Sequence, residues 1–577
     1  MLYGIYRGGD GNRENRADSS MTARRDARVT ETNRPCAASH LRMRFTALIM
    51  TGLAATAASA DSSPPPQPPP VYAINSASRR TAQTPDTGLA PGSLCDIDVT
   101  GLYLTGGPLA QNDPVSLRFR APGSVDVQDL SVLVARPAVA GIPTQFTALI
   151  PPGAPLGQAE MLAVSASGKS FSTAVWIAAS NFGIFTKAGA GYDAAAAQVW
   201  RGAPVATSLS APVHAGEWVT LWGTGLGSSG GAGLSVLIAG VIVAPSYAGP
   251  SGITGVDQIN FQFPIGIPDD CYIPIAVISG GRSSNTATIA TASGPGACHH
   301  SLGLSAEALA TLDAGGQLAL SQSWVHSDVL PTPNNSTFYS RSDMVSLSFT
   351  KYDAAGVQVV TGIWSAPAAG CRLNSGGTSG ALLLALSMDA GTPVVAGPGG
   401  LRIQMNGASG YYFTAPSTAT YPLDAVPPSS FVPGDWSVEV SGGKDIGPFQ
   451  ASLRIAPALH WTNRGAIAAV SRTADLVLQW DPSGYTDAEW VQGSIGTGAD
   501  AVVCQAPATA GSITIPASLI AQLPATITTS TGKPMVELLL APRNDSPSPY
   551  SVPVPGGGSF PGVATFSYLE MVWADFQ

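Results

Sequence analysis

The chain has 577 residues, 65 of them glycine and 48 proline, with 11% charged side chains and a formal net charge of −9. One hydrophobic core rarely grows beyond ~250 residues, so several domains are expected. The acidic balance excludes a surface built to hold phosphate backbones or anionic lipid. With only five lysines, the chain lacks the charged helix formers that long helices use, and its Gly, Pro, Ser and Thr favour turns between short strands. An all-β fold class is expected.

Residues 1–42 hold eight arginines, no lysine and no hydrophobic periodicity. They read as a mis-assigned start, with Met21 or Met43 as the true one, or as a disordered extension. Arg24-Arg25 lacks the apolar residues that follow a twin-arginine export pair. Residues 43–60 (MRFTALIMTGLAATAASA) have the form of a signal peptide: basic Arg42 and Arg44, an apolar run from Phe45 to Ala58, and the small exit Ala58-Ser59-Ala60. The run is too short for a permanent span. Cleavage leaves 517 residues with 19 basic and 32 acidic side chains, a net of −13. No second apolar span, lipid-accepting cysteine or anchoring tail follows. The product is therefore expected to be secreted, extracellular or at the cell surface, with the periplasm open. It is expected to have no integral membrane span and no nucleic-acid partner. Residues 61–90 are expected to be a Pro-rich disordered linker, led by the polyproline run Asp61–Pro70.

An internal repeat follows. Gln145-Phe-Thr-Ala-Leu-Ile-Pro151-Pro-Gly153-Ala-Pro155 matches Gln258-Ile-Asn-Phe-Gln-Phe-Pro264-Ile-Gly266-Ile-Pro268 at an offset of 113 residues, without a gap, through Thr173-Ala174 and Thr286-Ala287. Each copy alternates apolar and polar residues and turns at Pro-x-Gly-x-Pro, which predicts a strand–turn–strand–turn–strand meander. The period suits one immunoglobulin-like sandwich per copy. Upstream in the second copy, Val219 and Leu221 alternate inward and Gly223-Thr-Gly225-Leu-Gly227 breaks the strand. A dinucleotide loop would need a following helix and a distal acid; Ser-Ser-Gly-Gly-Ala-Gly and a new strand follow instead, so a β-turn is predicted.

The strand ending in Gly223-Thr-Gly225 resembles the IPT/TIG type of immunoglobulin-like domain. The stretch 216–292 is similar to a β-rich domain of unknown function in exported acidobacterial (Solibacter-type) proteins. The resemblance rests on Val219–Gly227, Val256-Asp-Gln-Ile-Asn260, Phe263–Pro268 and Gly281-Arg-Ser-Ser-Asn-Thr286. Asn181-Phe-Gly-Ile-Phe185 resembles the linker between two copies. Gly447–Leu453, Leu459-His-Trp-Thr-Asn463 and Ile515–Leu519 resemble a C-terminal extension of that group. The resemblance implies tandem immunoglobulin-like β-sandwich domains and carries no catalytic residue or ligand. The first copy lacks the Gly-Thr-Gly turn.

The C-terminal half continues in strands: Val345-Leu347-Phe349, Trp436-Val438-Val440, Phe449-Ala451-Leu453-Ile455 and Leu476-Leu478-Trp480 each put apolar residues on one face. A boundary near Ala456–Pro457 is expected. The domains are then sandwiches at 91–182, 183–299 (IPT/TIG-like), 300–456 and 457–577. Residues Pro516–Leu523 are predicted to form one helical turn, and loops at 365–380 and 405–432 are the expected ligand surface.

Five cysteines remain after cleavage, and an oxidising compartment favours pairing. Cys271 and Cys298 flank a hairpin, and their bridge would close a loop of about 27 residues, contributing roughly 3–4 kcal/mol. Cys371 with Cys504 is the next pairing, although it crosses between two expected domains. Cys95 is left over, for intermolecular pairing or as a buried free thiol. Cys298-His299-His300 lacks the further ligands a metal site needs and reads as a disulfide followed by two exposed histidines. Asp96-x-Asp98 and Asp269-Asp270 lack a calcium loop's glycine and distal glutamate, and read as turn chemistry.

No histidine lies near a G-x-S-x-G elbow, and His460, between Leu459 and Trp461, reads as structural. Glycosidase carboxylates, distant in a chain, leave no local signature. No catalytic residue, metal ligand or cofactor is assigned. Of eleven tryptophans, Trp218, Trp222, Trp436 and Trp480 sit in strand patterns that core packing mostly explains. Trp364, Trp490 and Trp573 are the candidate glycan contacts. The expected function is a non-enzymatic exported protein for extracellular or cell-surface attachment or structural interaction, with an unknown protein or glycan partner. The alternative is a polysaccharide-binding protein. A secreted hydrolase hidden in 300–456 ranks third.

Overall fold

The computed structural model describes residues 71–99, 115–136, 144–166, 168–229, 233–332, 335–362, 370–375, 384–385, 388–408, 411–422, 429–497, 500–523, 529, 531–543 and 548–577. The expected extension (1–42), signal peptide (43–60) and proline tract (61–70) lie outside them.

The first sandwich uses β1 (Val71–Asn75), β2 (Leu94–Val99), β3 (Val115–Arg120), β4 (Val127–Asp129), β5 (Ser131–Arg136), β6 (Thr144–Leu149), β7 (Gly157–Ser165) and β8 (Ser170–Ile177). They form two antiparallel sheets, β1-β2-β6-β5 and β4-β3-β7-β8. Alternate residues from both sheets, among them Val71, Ile97, Phe119, Phe146, Met161 and Ile177, share one core. Residues 71–90 therefore belong to the sandwich and are not a linker. Val71 and Ala73 alternate inward on β1, and Leu89 is buried in the same core.

The second sandwich uses β9 (Gly183–Ile184), β10 (Ala197–Trp200), β11 (Pro204–Ala206), β12 (Trp218–Thr224), β13 (Ser235–Ile238), β14 (Val241–Val243), β15 (Tyr247–Pro250), β16 (Asp257–Gln262), β17 (Asp270–Ser279), β18 (Arg282–Ser283) and β19 (Ala287–Thr291). One sheet runs β11-β10-β12-β16-β15, with β9 also on β12. The other runs β14-β13-β17-β18, with β19 also on β17. Val219, Leu221, Val236, Phe261 and Ile275 lie in its core. The sequence repeat is a structural repeat. β6 and β16 keep the offset of 113 residues at both ends, as do the starts of β7 and β17.

The rest of the chain does not divide near Ala456. Leu318–Thr332 pairs with Asn335–Tyr352 on one side and, in parallel, with Ser559–Trp573 on the other. Gly370–Ser375 pairs with Asp500–Pro507. These strands belong to one 11-stranded sheet among the described residues, opposed by a four-stranded sheet from Leu401–Gln404, Val394–Gly397, Gly434–Val440 and Phe449–Ile455. One core runs from Val325 to Ala574. The expected sandwiches 300–456 and 457–577 are thus a single interleaved module. Its two halves exchange central strands, so neither half buries its face alone. The alternations at 345–349, 436–440, 449–455 and 476–480 all point into this core.

Ala517–Ile520 is the predicted helical turn. The helices Ala306–Asp313, capped by the Ser305 side chain, and Ala354–Gly362 were not foreseen. The expected loop at 405–432 is largely strand, Asn406–Ala408 and Tyr411–Pro422.

The Gly-Thr-Gly turn is a clasp between the two sandwiches. A Cβ at Gly225 (φ 104°) would stand 2.3 Å from the Asn181 carbonyl oxygen, so only glycine permits the linker's approach. Thr224 accepts from Leu94 N–H (2.9 Å) and donates to Gly255 (2.6 Å). The Asp257 carboxylate takes the N–H groups of Gly225 and Leu226, both at 2.8 Å. Buried Asn285 holds both backbone groups of Ile184, and Arg282 pairs with Asp86 of the first sandwich at 3.1 Å. Arg80, fully buried in the expected linker, donates to carbonyls of Ser283 and Gln522, tying all three modules together. The motifs 223–227, 256–260 and 281–286 thus build a junction.

Candidate functional site

On β12 the inward turn of Val219 and Leu221 sends Trp218, Thr220 and Trp222 to the outer face. The neighbouring strands add to that face. Trp218 pairs with Gln262, Thr220 with Asn260 and Trp222 with Gln258. Asn260 pairs with Tyr247 on β15, Thr220 with Gln198 on β10, and Trp200 with Pro204 on β11. Trp200 lies one step beyond the Val199–Val219 pair, so it stands across from Trp218. Trp200 is 65% exposed, Trp218 53% and Tyr247 42%, while Trp222 is half-buried.

The outward positions on these five strands carry no charge. The nearest charges, Arg201 and Glu217, flank the two tryptophans and neutralise each other through a two-bonded pair of 2.6 and 2.8 Å. Arg201 and neighbouring backbone bonds hold the Glu217 carboxyl below its usual range against the opposing effect of burial. The amides are fixed in place: Gln258 donates to Asn260 (3.0 Å) and Gln262 to the Gly216 carbonyl (3.0 Å). The Tyr247 hydroxyl donates to Pro250 (2.7 Å).

The expected glycan contacts are not gathered here. Trp364 lies outside the described residues. Trp490 is half-buried with Arg543 over its ring at 5.4 Å, and Trp573 is half-buried at the far end of its strand. Trp436 and Trp480 are core residues as expected, but Trp218 is not. Its signal was present in Glu217-Trp-Val-Thr-Leu-Trp222, where inward Val219 and Leu221 force both tryptophans out. Trp200 was missed because its strand is four residues long.

The structure pairs Cys271 with Cys298 and Cys371 with Cys504. The second bridge joins residues directly opposite on adjacent strands of one sheet, so it crosses no domain boundary. Cys95 is a buried free thiol that reaches the Ala148 carbonyl, and burial pushes its pKa far up. His299 is exposed, but His300 is buried. His300 Nδ1 accepts Leu302 N–H (3.1 Å), and Nε2 lies 3.3 Å from the Tyr272 hydroxyl. Burial lowers its pKa to about 4. Asp96 and Asp98 lie on β2 rather than in a turn, and Asp96 accepts from Ser76 and Thr147, both at 2.8 Å. His460 is exposed while Leu459 and Trp461 are buried.

Residues 300–577 do bring together a serine, a histidine and an acid. His326 Nδ1 lies 3.3 Å from Asp328, and Ser567 is its cross-strand neighbour. All three are at least 96% buried. The Ser567 hydroxyl takes the Trp324 indole N–H at 3.0 Å, and Trp324 stacks on His326. The arrangement has no approach for a substrate. On the opposite face of the same sheet, Arg464 pairs with Glu570 at 2.9 Å and Arg341 with Asp343 at 3.5 Å, all buried. Among the described residues no group of His, Cys, Asp and Glu is arranged to hold a metal ion, and no helix is long and apolar enough to cross a membrane.

No family model matches the sequence, and no curated protein matches it. The solved structures it is similar to include SGBP-B of the Bacteroides ovatus mixed-linkage glucan utilization locus, in complex with a mixed-linkage heptasaccharide. That likeness has 9% identity and a TM-score of 0.12, covering 70% of this chain and 76% of the other. Immunoglobulin domains 1–4 of Sidekick-1 match at 8% identity and a TM-score of 0.11, covering 86% of this chain and 99% of theirs. A bacterial ice-binding adhesin matches at 11% identity and a TM-score of 0.12, covering 62% and 91%. Scores this low establish neither function nor kinship, and the all-β sandwich fold rests on the strand pairings above.

Proposed function

We propose that this is a non-enzymatic exported β-sandwich protein that attaches to an extracellular or cell-surface partner through the outer face of its second sandwich. The observation that carries the reading is the exposure of Trp200 and Trp218 side by side on paired strands, with Tyr247 on the same face. Large aromatics left together on a rigid surface mark interaction sites, because they hold much contact area at little entropic cost. Two disulfides favour an oxidising compartment, and the signal-like residues 43–60 support export. The resemblance of 216–292 to a β-rich domain of exported proteins supports the same reading, since its motifs serve the junction and not chemistry. The sealed Ser567–His326–Asp328 set supports a non-catalytic role.

The test is retention of purified protein on cell-envelope material, compared with the Trp200→Ala/Trp218→Ala variant. Retention by the parent and loss in the variant is the expected result. Release of sugar or peptide from complex substrates by the parent would overturn the non-enzymatic reading.

A further inference from the structure

We infer that the outer face of β10, β12, β16 and β15 is a binding site for an uncharged polysaccharide chain. This rests on the attachment reading above and names the chemistry of the partner. A pyranose ring offers a flat face of C–H bonds and a rim of hydroxyls. The C–H face, slightly positive, lies well on the electron-rich face of an indole or phenol. Its hydroxyls need groups that both donate and accept, which carboxamides and hydroxyls supply. Here the two requirements alternate on one surface. Trp200 and Trp218 stand side by side, with Trp222 and Tyr247 beyond them. Gln198, Thr220, Gln258, Asn260 and Gln262 fill the positions between. The Gln258–Asn260 bond fixes both amides in advance, leaving the Gln258 carbonyl oxygen and the Asn260 amide nitrogen for a ligand.

Charge decides between partners. A protein with a net charge of −9 carries here a face with no charged side chain pointing outward. The adjacent Arg201 and Glu217 are spent on each other. Such a face offers no electrostatic gain to an acidic or basic polymer, and its buried or bordering charges need no partner. Shape decides between a chain and a single sugar. The surface is the open outer face of a sheet. From Trp218 to Trp222 it runs about 13 Å along the strand, and the four strands span about 14 Å across. A ligand gains enough contact there only by lying over several rings at once.

The experiment is gel retardation of the full chain in neutral soluble polymers (a β-glucan, a mannan and a xylan) and in polygalacturonate. The variants are Trp200→Ala/Trp218→Ala and Trp200→Phe/Trp218→Phe, each checked for an unchanged melting temperature. Retardation by at least one neutral polymer and not by polygalacturonate is expected, with binding about 30-fold weaker in the alanine variant and partly kept in the phenylalanine variant. Retardation that both variants retain in full would place the sugar elsewhere and overturn the site. If no neutral polymer retards the parent while envelope retention still depends on the two tryptophans, attachment stands, the partner is a protein, and the polysaccharide inference is overturned.

Discussion

The two sandwiches share one topology and use the same sheet face in opposite ways. The pairing of β2 with β6 and of β12 with β16 places Leu94, Asp96 and Asp98 where the second copy has Trp218, Thr220 and Trp222. In the first copy the part of that face on β1, β2 and β6 is largely covered. Leu94 and Leu149 pack on the loop at Gly255, Asp96 is held by Ser76, Thr147 and Arg79, and Ile74 is buried. In the second copy it is open and aromatic. The repeat thus has one module whose face is packed at the junction and a second whose face carries exposed aromatics. The junction holds the open face in a fixed place.

Several substitutions would break or sharpen that contrast. The largest effect is expected at Gly227, where a Cβ would meet the Ala179 carbonyl oxygen at 1.9 Å with φ at 68°. Gly227→Ala is expected to cost about 4 kcal/mol and to open the 178–183 linker to protease. Gly252→Ala, also at positive φ but with open space around it, is expected to cost about 1 kcal/mol. Equal effects would mean that the junction is loose. Next, Cys271→Ser should destabilise the protein by about 3–4 kcal/mol under oxidising conditions and not under reducing ones, in denaturant melts. Leu94→Ala, on the covered face, is expected to cost about 2–3 kcal/mol.

His300 gives the pH signature. Its folded pKa, about 4, lies below the ordinary histidine value, so the folded state binds fewer protons than the unfolded chain. Its contribution is full above pH ~6.5 and is lost as pH falls toward 4. Stability should drop by about 1 kcal/mol between pH 7 and 5.5, and His300→Gln should flatten that slope. The smallest effect is at the open face. Trp200→Ala and Trp218→Ala should each stay within about 0.5 kcal/mol of the parent. A cost near that of a core tryptophan, about 3–5 kcal/mol, would mean that the face is packing surface after all.

The strand alternations, the Cys271–Cys298 hairpin bridge and the helical turn at Ala517 were legible because each is encoded locally, and the repeat because its offset is constant. The Cys371–Cys504 bridge, 133 residues apart, has no local signature and was only the next pairing among the cysteines that remained. The interleaved C-terminal module was not. Leu318–Thr332 meets Ser559–Trp573 across more than 200 residues, and parallel pairing leaves no turn signal in the chain. Arg80 was hidden for a similar reason: a buried cation in a presumed linker takes its meaning from carbonyls of Ser283 and Gln522. The binding face was half legible. On β12 the inward Val219 and Leu221 imply that Trp218 and Trp222 face out, whereas the expected contacts Trp490 and Trp573 are half-buried on strands of the C-terminal module.

The most direct test of the open face is hydroxyl-radical footprinting of the full chain with and without the neutral polymer that retards it most. Trp200, Trp218 and Tyr247 should oxidise readily alone and be shielded together when the polymer is present, while Tyr72 on the covered face stays unchanged. Shielding confined to Trp490 and Trp573, with Trp200 and Trp218 still reactive, would contradict the assignment of the site.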